Sequence, residues 1–383
     1  MGKLQISGRM RGTLRVLMPA YLKIADNYGA QFPPLTRDGL SARVHRDWPD
    51  DPDFVPQWLA LLASHSGSTA FASPAWQSAV VDEFVPARQF RLVTVYRGKK
   101  LLALMPLALN TASMLETPGK WVTDYLDPLV DAQNLEPCWS IILSLLHKLW
   151  DWSVGGLVLN NIRGDSPLRQ LLPKMGKRHG FSYAESVVQI APFISLPRTW
   201  DEYLRRLESV DRKELKRKMR NATERAACQF VTLTEPAQVK VALERALGAM
   251  RQAASVKADF TEEVLLGFLS RLCPTLNEQG DFYIQELSLE NRPAAWLLTL
   301  RSDKGPMIYN TSYEYSMRQW SPGAVAFGMA IQQAIAAGNP VFNFLRGAEE
   351  YKKRLGASDL ELFKITLWPG PLSDSALAPP VTE

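Results

Sequence analysis

The 383-residue chain has few of the residues that build disulfide frameworks and metal centres. Its three cysteines are widely scattered, and no two of its four histidines stand at a spacing typical of metal ligands. These shortages argue against a disulfide-stabilised secreted fold and against a zinc site, so we predict a reducing environment and no bound metal. Neither Cys228 nor Cys273 has a neighbouring histidine that could activate it as a nucleophile.

Long apolar runs are also missing. No stretch reaches the roughly 18 apolar residues that a membrane-spanning helix needs. The net charge of +5 is modest, so anionic ligands are compatible with it but nucleic acid is not required. A hydrophobic content of 46% over this length suits two domains, each with its own core. We expect a cytoplasmic protein that either stays free of membranes or contacts their surface.

The N-terminal segment is rich in cations. Five of them precede the first acid, Asp26, and they are Lys3, Arg9, Arg11, Arg15 and Lys23. The segment lacks the apolar core of a secretory signal. Residues 1–40 are therefore predicted to be a flexible leader, and a basic amphipathic segment that touches anionic lipid is the alternative.

The second half of the chain has helix and strand signals in a clear order. From residue 228 onward, apolar spacing and the positions of Pro and Gly predict the order β-α-α-β-β-β-α-β-α-β. The first half repeats this order. It has predicted helices at 53–65 and 73–85, a hairpin at 90–109, a helix at 136–150 and a strand at 156–167.

The repeat extends to the strand ends, where the pair Arg163-Gly164 corresponds to Arg346-Gly347. Chance similarity of two short apolar strands is the alternative, but the shared element order favours a duplication. We therefore predict a mixed α/β protein built from two copies, at 41–191 and 192–372, followed by a flexible tail at 373–383. The copies should meet near residues 190–200.

Several segments together carry a family resemblance. They are FASPAW (71–76), DYLDPLV (124–130), PFISLPRTWDEYL (192–204), SPG (321–323) and FLRGAEEYKKRLGA (344–357). With the element order, they resemble the tandem-GNAT acetyltransferases of the CelD-like, cellulose-biosynthesis type, which are distant relatives of the Fem-type peptidoglycan aminoacyltransferases. The resemblance spans residues 45–368. Asn343 departs from it, since the family often has Asp there.

The resemblance implies two tandem GNAT-like acyl-CoA N-acyltransferase domains. It implies an enzyme that uses acetyl-CoA or another acyl-CoA as co-substrate and transfers the acyl group to an amine or hydroxyl. The acceptor would be a small molecule or a saccharide, with polysaccharide-synthesis proteins as further partners. Two alternatives remain: a Fem-like aminoacyl-tRNA-dependent transferase, and a degenerate GNAT pair that acts as a binding subunit of a polysaccharide synthase assembly.

A predicted helix start supplies the candidate donor site. Unpaired N–H groups at a helix N-terminus bind pyrophosphate, and Gly323 would let phosphate approach the backbone. A serine-capped helix without a ligand is the alternative. In the first copy, Glu136 and Trp139 stand at the equivalent place and would oppose a phosphate, so the donor site is predicted in the second copy. The candidate donor-binding residues are Ser321, Gly323, Ala324 and Val325.

The charged segment that follows the VFNFL stretch supplies the candidate catalytic groups, because ligands bind beyond the carboxyl ends of strands in α/β sheets. Glu349, or else Glu350, would accept a proton from the acceptor, and Tyr351 would protonate the leaving thiolate. Arg346 would emerge at the strand end as a candidate substrate-binding residue, and Lys352 or Arg354 would hold an anionic part of the substrate. The alternative is a capped helix with solvated charges and with Arg346 paired to a neighbouring acid.

A second cluster of carboxylates lies in the first copy. Asp124, Tyr125 and Asp127 are predicted to line an acceptor cleft where the two copies meet. A β-turn at Asp127-Pro128 is the alternative. We expect the acceptor to attack the thioester directly, with backbone N–H groups of Met307–Tyr309 stabilising the oxyanion.

A basic helix is predicted from Thr199 to Ala226, and it begins with a capping box. Between Arg205 and Arg225 it has nine Lys or Arg against four acids. A solvated linker helix between the copies is the first interpretation, and an anion-binding wall for lipid-linked or tRNA substrates is the second. RNA-binding motifs with stacking aromatics are missing, which argues against nucleic acid as a partner.

Overall fold

The computed structural model describes residues 33–65, 69–150, 154–254 and 260–370. The predicted tail at 373–383 and most of the predicted leader lie outside these ranges. The last part of the leader is not a flexible segment, because residues 35–37 pair with the strand that begins at Leu40. Asp38 and Gly39, both at positive φ, make the tight two-residue turn that joins the two strands.

The strands are β1 (Leu35–Arg37), β2 (Leu40–His45), β3 (Phe90–Arg97), β4 (Lys100–Leu109), β5 (Met114–Glu116), β6 (Leu129–Val130), β7 (Gly156–Arg163), β8 (Phe181–Ser195), β9 (Gln229–Leu233), β10 (Phe282–Leu289), β11 (Arg292–Leu300), β12 (Met307–Tyr313), β13 (Val341–Asn343) and β14 (Ser358–Pro369). The helices are α1 (Phe54–Ser64), α2 (Pro74–Phe84), α3 (Leu135–Trp150), α4 (Leu168–Arg178), α5 (Trp200–Arg206), α6 (Ser209–Arg225), α7 (Pro236–Ala254), α8 (Phe260–Glu278), α9 (Pro322–Ala336) and α10 (Glu350–Arg354). The predicted mixed α/β class and the element order after residue 228 are confirmed.

One large mixed sheet runs through both halves. Its order is β1-β2-β3-β4-β5-β7-β14-β8-β13-β12-β11-β10-β9, and β6 pairs with β4 beside this path. The predicted division at residue 191 falls inside β8, so it does not separate two sheets. The copy boundaries remain a prediction about the duplication.

The two central strands serve both halves. β8 and β14 pair antiparallel along their length, from Phe193 with Ser358 to Phe181 with Pro369. β14 also pairs with β7, and β8 also pairs with β13. The strands of the first half therefore have the order β2-β3-β4-β5-β7-β14-β8. The strands of the second half have the corresponding order β9-β10-β11-β12-β13-β8-β14. Each half completes its sheet with the last strand of the other.

The apolar side chains of β14 are divided between the two cores. Ile365 and Leu367 are fully buried in the first-half cluster, which is built around α3 and includes Trp139. Leu362 is fully buried in a cluster of the second half together with Trp296. The strand is therefore a structural part of both cores.

Candidate active site

A groove opens where two parallel strands of the second half separate. β12 and β13 share a single register pair, Met307 with Asn343. Beyond it β12 continues to Tyr313, while the chain after β13 turns through Leu345 and Gly347, both at positive φ. The groove has a volume of ≈ 260 Å³. We call it the donor groove, and its lining includes Leu215, Thr311, Gly323, Ala324, Phe327 and Tyr351.

The first turn of α9 opens onto the donor groove. Ser321 precedes the helix in the left-handed conformation, and its side chain caps no N–H group, unlike in the serine-capped alternative. A Cβ atom on Gly323 would meet nothing nearer than the Tyr313 ring, at 3.9 Å. N–H groups at a helix start carry partial positive charge, so this part of the groove suits an anion. Val325 is fully buried, so its side chain belongs to the core rather than to the groove.

Tyr351 is the one predicted catalytic residue that lines the donor groove. Its ring packs against Phe327, with centroids 5.2 Å apart, and against Phe344 at 6.4 Å. Burial, and to a smaller extent the nearby Glu349 carboxylate, raise the pKa of its phenol. The phenol therefore keeps its proton at neutral pH and can act as a proton donor.

The two glutamates predicted as bases do not line this groove. Glu349 stands just before α10 with its side chain 55% exposed, and its carboxylate pairs with the Lys352 ammonium at 2.9 Å. Lys352 itself is buried, and its Nζ donates to the carbonyls of Arg346 at 2.7 Å and Gly347 at 3.3 Å. Glu350 is exposed in the first turn of α10. Lys352 thus holds the loop after β13 and has little capacity left for a substrate.

Arg346 reaches from the second half to a loop of the first. Its Nε donates to Asp124 Oδ1 at 2.5 Å, and its backbone N–H donates to Asp124 Oδ2 at 2.9 Å. Its two terminal nitrogens donate to the carbonyls of Lys120 at 2.6 Å and Trp121 at 2.8 Å. The Asp124 side chain is only 7% exposed. Arg346 and Asp124, predicted separately as substrate ligands, are therefore joined to each other as a clamp between the halves.

Asn343 takes part in the same junction. Its amide nitrogen donates to the Tyr125 hydroxyl at 2.8 Å, and its amide oxygen accepts the Leu345 N–H at 2.8 Å. An ionised Asp at this position could accept a hydrogen bond but could not donate one. Burial strongly raises the pKa of the Tyr125 phenol, so that hydroxyl stays protonated.

A second opening, which we call the junction cleft, lies between the halves. It has a volume of ≈ 240 Å³ and is lined by residues of both, including His65, Tyr125, Asp127, Arg163, Asp165 and Lys304. Burial raises the pKa of the Asp127 carboxyl, although it accepts the Arg163 N–H at 3.1 Å. The Arg163 guanidinium pairs with Asp165 and lies 5.1 Å from the centre of the Tyr125 ring. The structure thus brings Tyr125 and Asp127 into one cleft and leaves Asp124 in the clamp.

Lys304 and Arg163 were not among the predicted site residues. Arg163 carried a signal, because its Arg-Gly pair repeats the pair at Arg346. Lys304 follows β11 in the turn before β12, and no local pattern distinguishes it from a solvated lysine. Only the meeting of the two halves places it in the cleft.

Strand β12 has a bulge on the segment predicted to stabilise the oxyanion. Its register with β11 pairs Asn310 with Leu298 and Ile308 with Thr299, which leaves Tyr309 unopposed. Bulges interrupt a hydrogen-bonded ladder and redirect local groups. The predicted donors therefore lie at an irregular point of the sheet, on the strand that borders the donor groove.

Helix α6, within the predicted basic helix, is a wall of the donor groove rather than a linker between the copies. A Cβ atom on Gly328 of α9 would come within 2.8 Å of Met219 and 3.1 Å of Leu215, which shows how closely the helices pack. Asp211 and Glu214 of α6 both pair with Arg354 of α10.

The two buried cysteines are poor nucleophiles in this structure. Cys138 and Cys273 are buried free thiols, and burial raises the pKa of both, that of Cys138 to about 12. A thiolate is therefore disfavoured at either position.

Among the helices that the structure describes, none is long and apolar enough to cross a bilayer.

The comparisons with known proteins agree with this fold. Residues 209–353 match the family model of an acetyltransferase (GNAT) domain, and this segment includes the residues that line the donor groove on α6, β12 and α9. The structure of FemX shares 12% identity with a TM-score of 0.57, over 81% of this chain and 95% of that one. A conserved protein of unknown function from Bacteroides thetaiotaomicron shares 10% identity with a TM-score of 0.52, over 82% and 97%.

A tandem GNAT protein from the clavulanic acid pathway also matches, with 14% identity and a TM-score of 0.43, over 87% of this chain and 100% of that one. A search of curated protein sequences finds no significant match. FemX and the Bacteroides protein, at these identities, show a shared fold alone, and the domain match supports an acyltransferase in general terms.

Proposed function

We propose that this protein is an acyl-CoA-dependent acyltransferase that moves an acetyl or related acyl group to an amine or hydroxyl. The observation that carries the proposal is the first turn of α9, which opens at Gly323 onto the groove beside the separating strands. This end suits a pyrophosphate, because backbone N–H groups and the helix dipole favour an anion there. The apolar walls, such as Phe327 and Leu215, suit a long acyl-carrying arm.

The residues present fit such a donor. Gly323 leaves open space where a side chain would otherwise stand, and Ala324 beside it is small. The Thr311 hydroxyl on β12 is buried without a hydrogen-bond partner among the described residues, a state that costs free energy unless a ligand or water satisfies it. Acetyl-CoA is therefore our first choice of co-substrate, with longer acyl-CoAs as alternatives of the same class.

The acceptor is proposed to enter through the junction cleft, where Tyr125, Asp127 and Lys304 offer hydroxyl, carboxyl and ammonium groups. A small polar molecule or a saccharide precursor fits this lining. A role in polysaccharide synthesis, with proteins of that machinery as partners, rests on the CelD-like resemblance.

Direct attack on the thioester completes the proposal. A carboxylate such as Glu349, acting through a water, would take the proton of the attacking amine or hydroxyl. Backbone N–H groups of β12 near the bulge at Tyr309 would stabilise the oxyanion. Tyr351 would return a proton to the departing CoA thiolate. The raised thiol pKa values of Cys138 and Cys273 favour this route over an acyl-enzyme.

Replacing Gly323 by Val tests the donor site. The new side chain should weaken acetyl-CoA binding by at least about tenfold, because it fills the space beside the helix N-terminus where phosphate would approach. Calorimetric titration of the full chain with acetyl-CoA measures the change. Gly248→Val is the matched control, since Gly248 lies on α7 with no neighbouring atom within 4 Å of its Cβ position.

Calorimetric titrations with acetyl-CoA and with aminoacyl-tRNA separate the alternative functions. Equal affinities of wild type and Gly323→Val for acetyl-CoA would contradict the donor site. Binding of aminoacyl-tRNA without acyl-CoA would favour the Fem-like transferase. A chain that binds neither donor would favour the degenerate binding subunit.

Replacing Tyr351 by Phe tests the proton donor. The phenol supplies a proton to the thiolate, so turnover should fall by about 10²–10⁴-fold while the Kd for acetyl-CoA changes little. Steady-state kinetics with titration of the same preparations separates the two quantities. The turnover of Glu349→Gln and Glu350→Gln, measured in the same way, compares the two glutamates as candidate bases. Full turnover in Tyr351→Phe would exclude the phenol from this role.

A further inference from the structure

The outward face of α6 has cations that the fold does not use. The helix packs inward through Leu215 and Ala222, which are 4% and 0% exposed. The opposite side has four exposed cations, and none of them forms an ion pair within the part of the chain that the structure describes. We call these four the cationic face, and they are Lys213, Lys216, Arg217 and Arg220.

Helix geometry places the four on one side. At ~100° per residue, they fall within an arc of about 100° centred opposite Leu215 and Ala222. Glu224 also lies in this arc near one end of the helix, and Val210 lies about 20° beyond the edge of the arc near the other end. Val210 is 69% exposed, so an apolar side chain stands beside the cations.

The paired charges of α6 lie elsewhere. Lys218 pairs with Glu214 at 2.7 Å, and both residues line the donor groove. Asp211 pairs with Arg354 at 2.8 Å. The charges toward the groove are therefore balanced, and the four cations of the cationic face lie on a side of the helix that faces solvent.

We infer that the cationic face docks the protein reversibly on an anionic lipid surface. Lipid phosphates present negative charge in a plane that a straight helix face can meet with all four cations at once. Val210 can enter the headgroup region of the bilayer, whereas the phosphate backbone of a nucleic acid offers no apolar region to an exposed valine. No aromatic residue lies in the arc, so the stacking platform of a single-stranded nucleic-acid site is missing.

This docking leaves the donor groove accessible, because the groove-lining residues of α6 stand on the other side of the helix. The inference does not rest on the proposed acyl transfer. Each cation near an anionic bilayer strengthens association by roughly fivefold at low ionic strength, and the effect weakens as salt is added. Four cations are enough for peripheral, reversible binding.

Vesicle co-sedimentation of the full chain tests the inference. The vesicles are phosphatidylglycerol and phosphatidylcholine in equal parts, with pure phosphatidylcholine as reference. The test variant changes Lys213, Lys216, Arg217 and Arg220 to Glu. The control changes the same number of exposed lysines on the first half, and these are Lys99, Lys148, Lys174 and Lys177.

Wild type should bind the anionic vesicles and release them at high salt, and binding of the test variant should fall at least about tenfold below that of the control. Both variants lose the same charge, so an equal fall would overturn the inference in favour of net charge alone. Absence of wild-type binding to anionic vesicles would also overturn it. So would a loss of tRNA binding in the test variant with vesicle binding intact.

The change to glutamate is checked by thermal unfolding of the variants. If the test variant unfolds at a clearly lower temperature, Gln replaces Glu at the same four positions. The Gln variant should still bind vesicles several-fold more weakly than a Gln version of the control, and equal binding of the two would overturn the inference.

Discussion

A chain that stops after Ala357 is expected to lose cooperative unfolding in both halves, not in the second alone. The truncation removes β14, which pairs with β7 of the first half and with β8 at the centre of the sheet. Without it, the first half lacks the strand between β7 and β8. The second half lacks the strand that completes its own order.

The size of this effect follows from burial. Leu362, Phe363, Ile365 and Leu367 are each at most 5% exposed. Burying a side chain of this size contributes about 1.5–3 kcal/mol, so the four together contribute about 6–12 kcal/mol. A domain is stable by only about 5–15 kcal/mol in total. The loss is therefore comparable with the whole free energy of unfolding.

Urea unfolding followed by tryptophan fluorescence measures this outcome. Trp139 in the first half and Trp296 in the second are both buried, so the signal covers both cores. A chain that stops after Gly370 keeps β14 and is the matched control, with a wild-type transition expected. A truncated chain that retained a sharp transition of native amplitude would show that the halves do not depend on the shared strand.

The exchange of strands could not be predicted from the sequence, although the elements themselves could. The alternation of apolar residues in LELFKITLW identifies β14 as a strand with a buried face, because period two is a local property. Its partners are set by packing between residues such as Ile365 and Leu159, which are far apart in the chain. Local periodicity contains no information about such a pairing, so the sequence predicted two separate lobes.

The positions of the charged residues after β13 could not be predicted from the sequence either. Lys352 looks like a solvated or substrate-binding lysine in the sequence, because buried lysines are rare. Its burial follows from three backbone carbonyls that face one point, those of Leu345, Arg346 and Gly347. The turn that brings these carbonyls together has Leu345 and Gly347 at positive φ. Because positive φ is uncommon for a leucine, the sequence does not predict this backbone conformation.

Replacing Arg346 by Ala should lower the free energy of unfolding by about 3–5 kcal/mol, because it leaves the Asp124 carboxylate buried and without its counter-charge. The guanidinium also bonds to the carbonyls of Lys120 and Trp121, so the loop of the first half loses its attachment to the second. Urea unfolding measures the change.

A comparison of the two Arg-Gly sites separates a clamp from a substrate ligand. Arg163→Ala at the corresponding strand end is the matched control, because Arg163 is 21% exposed, much as Arg346 is at 19%, but the Asp165 carboxylate that it leaves behind is 57% exposed and stays in contact with water, so a smaller loss is expected. The double change of Arg346 and Asp124 to Leu should recover much of the stability lost in Arg346→Ala, since it leaves no unpaired charge. A ligand role alone, as the sequence predicted for Arg346, would instead raise the KM for the acceptor and leave unfolding unchanged. Equal unfolding free energies for wild type and Arg346→Ala would therefore reject the clamp and return Arg346 to the acceptor site.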